Sequence, residues 1–216
     1  MRALIFDMDG VIVDSNPMHR ESWEAFNRRF GLETTEEMHQ RMYGKRNDQI
    51  VRDFFGDELP DDEVDARGRA KERLYREMIA GRTEAMVVPG LRDFLERYRH
   101  LPLAVASNAE PENVAFVLDE TELRKYFRVF VDGHQVKRPK PYPDVYLRAA
   151  DLLGVTPAKC VVFEDSHSGV AAAVAAGMPV IGIRTTYVNL PGTALTVDNF
   201  SSGDLDSWLH AQMQSV

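Results

Sequence analysis

The chain opens on a short apolar run, Ala3-Leu4-Ile5-Phe6, that stops at Asp7-Met8-Asp9-Gly10. No polar residue alternates within the run, so it reads as a strand buried on both faces, as in a parallel sheet. Parallel strands need long crossovers, usually helical, and they offer ligands the crevice beyond their carboxyl ends. The first strand therefore delivers Asp7 and Asp9 to such a crevice. On an extended chain residues i and i+2 share a face. Two like charges so placed are unfavourable unless a cation or a shared proton compensates them. An Asp-x-Asp pair also has an ordinary use, capping a helix or solvating a turn. Gly10 and the continuing apolar run Val11-Ile12-Val13 favour a site, provided the rest of the chain supplies a cation partner and a phosphate-sized pocket.

Four more β-rich runs follow, at 102–106, 129–131, 160–163 and 179–183. Helical stripes separate most of them. Leu91, Phe94, Leu95 and Tyr98 recur at helical spacing, as do Val145, Tyr146, Ala149, Leu152 and Leu153, and, more briefly, Val114, Val117 and Leu118. An alanine-rich segment, 171–176, is entered from Ser166-His167-Ser168-Gly169. This alternation predicts an α/β fold with a parallel sheet flanked by helices.

One stretch breaks the alternation. Residues 15–83 contain no convincing strand and read as helices over 16–30, 47–55 and 61–80, punctuated by Gly31, Gly44 and Gly56. We expect a small all-helical domain at 15–83, inserted after strand 1 into a core formed by 1–14 and 84–216. Both its ends lie beside strand 1, so it stands over Asp7 and Asp9, where a lid can exclude water and read a substrate. A plain solvated bundle would carry the same amphipathic pattern.

Length and charge narrow the function classes. The 216 residues suit one large domain or a domain with a small insert, and the net charge of −8 argues against a nucleic-acid partner. Cys160 is the only cysteine, so no intrachain disulfide forms, and it reads as a small buried hydrophobe. Strand 1 starts directly after Met1-Arg2, leaving no room for a leader, and no apolar run is long enough for a membrane span. These features predict a cytoplasmic protein with no membrane partner. They do not fix an oligomeric state, and a monomer fits them.

Three further polar segments fall where apolar runs stop: Ser107-Asn108, Lys140 in Pro139-Lys140-Pro141, and Glu164-Asp165-Ser166. Each has an ordinary reading: a turn cap, a solvated charge, a helix N-cap. Jointly they say more. Asp7, Asp9, Glu164 and Asp165 form an oxygen-rich cluster suited to Mg²⁺, a hard cation. Ser107 and the Asn108 backbone N–H can hold phosphate oxygens, and Lys140 supplies the positive charge that a phosphate beside carboxylates requires.

Phe6-Asp7-Met8-Asp9-Gly10-Val11, Ala106-Ser107-Asn108, Pro139-Lys140-Pro141-Tyr142-Pro143-Asp144 and Phe163-Glu164-Asp165-Ser166 occur in an order that resembles the haloacid dehalogenase-like hydrolases, in the subgroup related to β-phosphoglucomutase. The resemblance runs from about residue 1 to about residue 190. It implies a Rossmann-like core with a helical cap after strand 1, and an aspartyl-phosphate mechanism dependent on Mg²⁺. Asp7 would be the nucleophile and Asp9 the general acid, then base. Mg²⁺ would lie between the Asp7 carboxylate, the Asp9 backbone carbonyl and Asp165, with Glu164 a direct ligand or one step behind. Ser107, Asn108 and Lys140 would orient the phosphate. True dehalogenases lack the second aspartate because halide leaves without a proton, so Asp9 points to phosphate esters.

In the cap, Asp14-Ser15-Asn16-Pro17-Met18-His19 resembles the subgroup's hinge, with His19 where a conformation-coupled histidine lies. Gly44-Lys45-Arg46 resembles its substrate loop with one residue fewer, and Lys71, four before Tyr75, resembles a cap lysine that reaches substrate. Ser15, His19, Gly44, Arg46 and Lys71 are thus the cap candidates, and Arg46 and Lys71 are expected to tune substrate preference. The function expected is phosphatase action on a small phosphorylated metabolite, a sugar or short organic phosphate. A phosphosugar mutase is the alternative, and a non-catalytic binding protein on the same scaffold the least favoured.

Overall fold

The computed structural model describes residues 1–214. Six strands form one wholly parallel sheet: β1 (Ala3–Phe6), β2 (Leu103–Ala106), β3 (Val129–Val131), β4 (Cys160–Glu164), β5 (Val180–Ile183) and β6 (Leu195–Val197). Their order is β3-β2-β1-β4-β5-β6. β1 is central, with Ile5 opposite both Ala104 and Val162. The order reverses across β1 and β4, where open parallel sheets bind ligands.

Both faces of the sheet are covered, as the unalternated strands require. Leu4 and Phe6 point into one cluster, where Phe6 stacks on Phe163 at 4.7 Å and meets Phe94 and Phe200. Ala3 and Ile5 point into the other, lined by small residues such as Ala104, Ala149, Ala172 and Ala173 that let helices approach closely.

Four helices stand between β1 and β2: α1 (Asn16–Arg28), α2 (Glu36–Met42), α3 (Asn47–Phe55) and α4 (Asp61–Ile79). They share a core of Trp23, Phe26, Met42, Ile50, Val51 and Val64, separate from the two sheet clusters. The chain leaves and returns through paired segments. Asp14 N donates to the Met86 carbonyl at 2.7 Å, and Val88 N to the Ile12 carbonyl at 3.0 Å. This side-by-side stem identifies the block as an insertion on the sheet's carboxyl edge, so the α/β core with a helical cap holds as expected.

Five helices follow: α5 (Leu91–Tyr98), α6 (Pro111–Glu120), α7 (Asp144–Leu153), α8 (His167–Ala175) and α9 (Gly203–Gln214). The sequence reading did not include α2, β6 or α9. α2 buries only His39 and Met42, β6 is a three-residue edge strand, and α9 buries only Leu205 and Leu209. Each is too short or too thinly striped for periodicity to register. Among the described residues no helix is long and apolar enough to cross a membrane.

Candidate active site

The ends of β1, β2, β4 and β5 converge beneath the cap. Asp7 continues β1, its N–H still bonded to the Phe163 carbonyl at 3.0 Å. Ser107 and Asn108 follow β2, Glu164 ends β4 with Asp165 next to it, and Lys140 arrives from the loop between β3 and α7. All six are buried.

Lys140 ties the cluster together. Its Nζ donates to Asp7 Oδ1 at 2.7 Å and to Glu164 Oε1 at 2.6 Å, and its backbone N–H to Asn108 Oδ1 at 3.2 Å. Glu164 is saturated with donors. Oε1 also accepts from the Tyr146 hydroxyl at 2.5 Å, while Oε2 accepts from the Asp165 and Ser166 amides and the Ser166 hydroxyl at 3.0–3.1 Å. α8 comes in tightly enough that a Cβ on Gly169 would collide with the Glu164 carboxylate. Asp165 Oδ2 accepts from Asn16 Nδ2 at 3.1 Å and from the Thr186 hydroxyl. Gly10, at φ +77°, packs so close that a Cβ there would strike the Asp165 carboxylate.

Asp7, Glu164 and Asp165 each offer an oxygen within 4.8 Å of the others. Three buried carboxylates thus stand beside one ammonium, which bonds two of them. Asp7 is pushed up to about 7, chiefly by burial and only partly relieved by Lys140. Asp165 rises well above the usual carboxylate range through burial and the nearby Glu164 and Asp7. An all-oxygen cluster short of positive charge fits a hard divalent cation.

Asp9 belongs to a different network. Its Oδ1 accepts from Ser15 Oγ at 2.6 Å and meets His19 Nε2 at 3.3 Å. Burial disfavours its charge, but His19, Ser15 and Lys71 outweigh that and hold the carboxyl below its ordinary value. On the far side of the ring, Lys71 Nζ lies 2.8 Å from His19 Nδ1. An ammonium can only donate, so Nδ1 accepts and Nε2 carries the proton that faces Asp9. The His19 ring stacks on Tyr75 at 3.8 Å.

A cleft open to solvent, with about 630 Å³ of empty space, joins these parts. Asp7, Asp9, Asn108, Lys140 and Asp165 line its core side, and Asn16, His19, Gly44, Lys71 and Glu72 are among its cap residues. Ser15, Ser107 and Glu164 stand behind the wall; Ser107 Oγ accepts from Ala109 N at 3.1 Å. Arg46 departs from expectation. Its Nε and Nη2 pair with Asp48 at 3.0 and 2.6 Å, and Nη1 donates to the Gly133 carbonyl at 3.1 Å, so its guanidinium is turned away from the cavity. Asp48 two residues on captures the fork bidentately. Gly44 acts through its backbone: its carbonyl accepts from Asn108 Nδ2 at 2.8 Å, clasping cap to core.

Sequence reading missed Asn16, Tyr146, Thr186 and Glu72. Tyr146 enters the sequence reading only as one residue of a helical stripe, and Glu72 does not enter it. Two had a signal: Asn16 lies inside the hinge segment, and Thr186 three residues beyond β5.

Residues 1–177 match the family description haloacid dehalogenase-like hydrolase. A phosphorylated carbohydrates phosphatase of Thermotoga maritima is 36% identical over 186 residues, 82% of this chain and 82% of that protein. A β-phosphoglucomutase of Mycobacterium bovis is 33% identical over 216 aligned positions, 86% of this chain and 82% of that protein. The crystal structure of β-phosphoglucomutase from Clostridium difficile superposes with a TM-score of 0.90 over 99% of this chain and 98% of that one, at 23% identity, a likeness of fold. On the family match and the two relatives together, the chain belongs to the haloacid dehalogenase-like hydrolases.

Proposed function

We propose that the protein is a Mg²⁺-dependent phosphatase of a small phosphorylated metabolite, a sugar or short organic phosphate, working through a phosphorylated Asp7. Residues 1–14 and 84–216 form the catalytic core in this reading, and 15–83 the cap. The observation that carries it is Asp7 itself: a buried carboxylate on the cavity wall, 2.7 Å from Lys140 and grouped with Asp165.

The Asp7 carboxylate attacks phosphorus in line, forming an acyl phosphate as the ester P–O bond breaks. His19, Ser15 and Lys71 favour the Asp9 carboxylate, so Asp9 must take up a proton as substrate binds; it gives that proton to the departing alkoxide, then takes one from the water that attacks the acyl phosphate, restoring Asp7 and releasing inorganic phosphate. Lys140, with the Ser107–Asn108 turn, orients the phosphate and offsets its charge. Asp7 and Asp165 would hold Mg²⁺, with Glu164 behind them. When bound, the ion supplies the positive charge that lets an anionic nucleophile meet an anionic ester. Asp9 is held by Ser15 and His19, both at the start of the cap, so cap movement and proton delivery are mechanically linked.

The mycobacterial relative's name keeps a phosphosugar mutase in view. A mutase must hold a second phosphate at the cap end, and Arg46, the cation expected there, is spent on Asp48 and Gly133. The test is a panel of sugar and small organic phosphates with Mg²⁺, scored for inorganic phosphate. β-Glucose 1-phosphate with a bisphosphate activator is scored separately for isomerisation. Phosphate release is expected. Glucose 6-phosphate formed without release would replace phosphatase with mutase.

A further inference from the structure

The cap end of the cavity holds a residue with no assigned part, Glu72. It follows Lys71 on α4, is 4% exposed, and lines the cavity. Its Oε1 accepts from Lys71 Nζ at 2.8 Å, and its Oε2 from Asn113 Nδ2 at 2.6 Å. Asn113 belongs to α6 of the core and is itself fixed by Arg76 Nη1, which donates to its Oδ1 at 2.6 Å. The carboxylate is therefore held from both sides of the cap–core boundary, and burial of the charge is offset by Lys71 foremost, with the carboxyl kept below its ordinary value.

This placement neutralises Lys71, which lines the cavity from the cap. The other cavity-lining lysines are matched as well: Lys45 Nζ lies 2.5 Å from Asp53, and Lys140 serves Asp7 and Glu164. Within this cavity a second anionic group on a substrate would thus meet the Glu72 carboxylate, beside lysines that are already paired. A hydroxyl there can donate to the remaining lone pairs of the Glu72 carboxylate and to the side-chain oxygens of Asn16 and Asn47.

We propose that Glu72 sets the substrate class: monophosphate esters whose far end is uncharged and hydroxylated, with bisphosphates and phosphorylated acids rejected by charge. The inference rests on the phosphatase reading and adds a specificity residue to it. It works by exclusion, as like-charge juxtaposition against the wrong ligand does elsewhere.

The experiment measures inorganic phosphate release from a hexose 6-phosphate and from the matching hexose 1,6-bisphosphate, for the wild type and for Glu72→Gln. For the wild type, kcat/KM is expected to favour the monophosphate by about tenfold or more, and Glu72→Gln to narrow that ratio by about tenfold, mainly through the KM of the bisphosphate. A wild type that takes both equally, or a folded Glu72→Gln with the ratio unchanged, overturns the inference. Should the variant fail to fold, wild-type competition decides: with p-nitrophenyl phosphate as substrate, the monophosphate must inhibit more strongly than the bisphosphate, and equal inhibition overturns the proposal. Failure to release phosphate from either sugar or from p-nitrophenyl phosphate overturns the phosphatase reading, and this inference with it.

Discussion

At the sheet edge Asp7, Glu164 and Asp165 stand together beside a single ammonium, Lys140, which pairs with the first two, whereas at the cap end Lys71 faces Glu72 and Lys45 faces Asp53. The two ends of one cavity therefore keep different charge balances. Unmatched carboxylates in a buried site are costly, and their pKa values rise until a cation arrives. Matched pairs carry no such demand. In the proposed reading the deficit at the core end is where a cation and a charged phosphate would sit, and the balance at the cap end is where the neutral remainder of a ligand would lie. Changes at the core end should accordingly be large and common to every substrate, and changes at the cap end smaller and dependent on the ligand.

Asp7→Asn tests the core end most severely. Turnover should fall by about a thousandfold or more, since an amide cannot form the acyl phosphate. The thermal midpoint should hold or rise, because a buried carboxylate whose charge Lys140 only partly offsets is removed. Comparable turnover at saturating Mg²⁺ would end the assignment.

Lys140→Met comes next. It leaves Asp7 and Glu164 buried without their counter-charge and should destabilise the protein by about 3–5 kcal/mol in urea unfolding. A loss below about 1 kcal/mol would mean the carboxylates are solvated after all.

The pH dependence of stability follows from Asp7, whose folded value of about 7 lies above its ordinary 3.8. The folded state then binds the extra proton, so its contribution is full below pH 3.8 and is lost as pH rises through about 7. With divalent cations chelated, the thermal midpoint should fall across this window, and Asp7→Asn should flatten the fall. Mg²⁺ should raise the midpoint more at pH 7.5 than at pH 5, because the carboxylate must be ionised to bind it. EDTA should silence turnover, with Mg²⁺ restoring it.

Arg46→Ala sharpens the other side. Arg46 braces Asp48 and the Gly133 carbonyl and does not line the cavity, so its loss should cost about 1 kcal/mol of stability or less. It should slow a sugar phosphate and a small aryl phosphate alike. A selective loss on the sugar phosphate would return Arg46 to the substrate site.

Much of the core end was legible because strand ends are legible. Apolar runs that stop at Asp7, Ser107 and Glu164 announce both the strand and the group at its tip, and a parallel sheet brings all such tips to one edge. The insertion was legible too, as a strandless block with its own aromatic stripe of Trp23 and Phe26. Side chains that act sideways were not. Tyr146 serves Glu164 from the face of a helix, and Asn16 and Thr186 reach Asp165 from 149 and 21 residues away in sequence. The direction of Arg46 depended on a local competitor, Asp48, that spacing alone does not rank.

The amino-acid order by itself determined the parallel sheet, the inserted helices and the acidic groups at the strand tips, since burial period and strand termination are local properties of the chain. Tertiary structure alone decided which charges are matched. Lys140 became the shared partner of Asp7 and Glu164, and Lys71 was neutralised by Glu72 while Asn113 fixed that carboxylate from the core. Charge balance is a sum over whatever the fold brings within a few ångströms, and most of those neighbours are far apart along the chain.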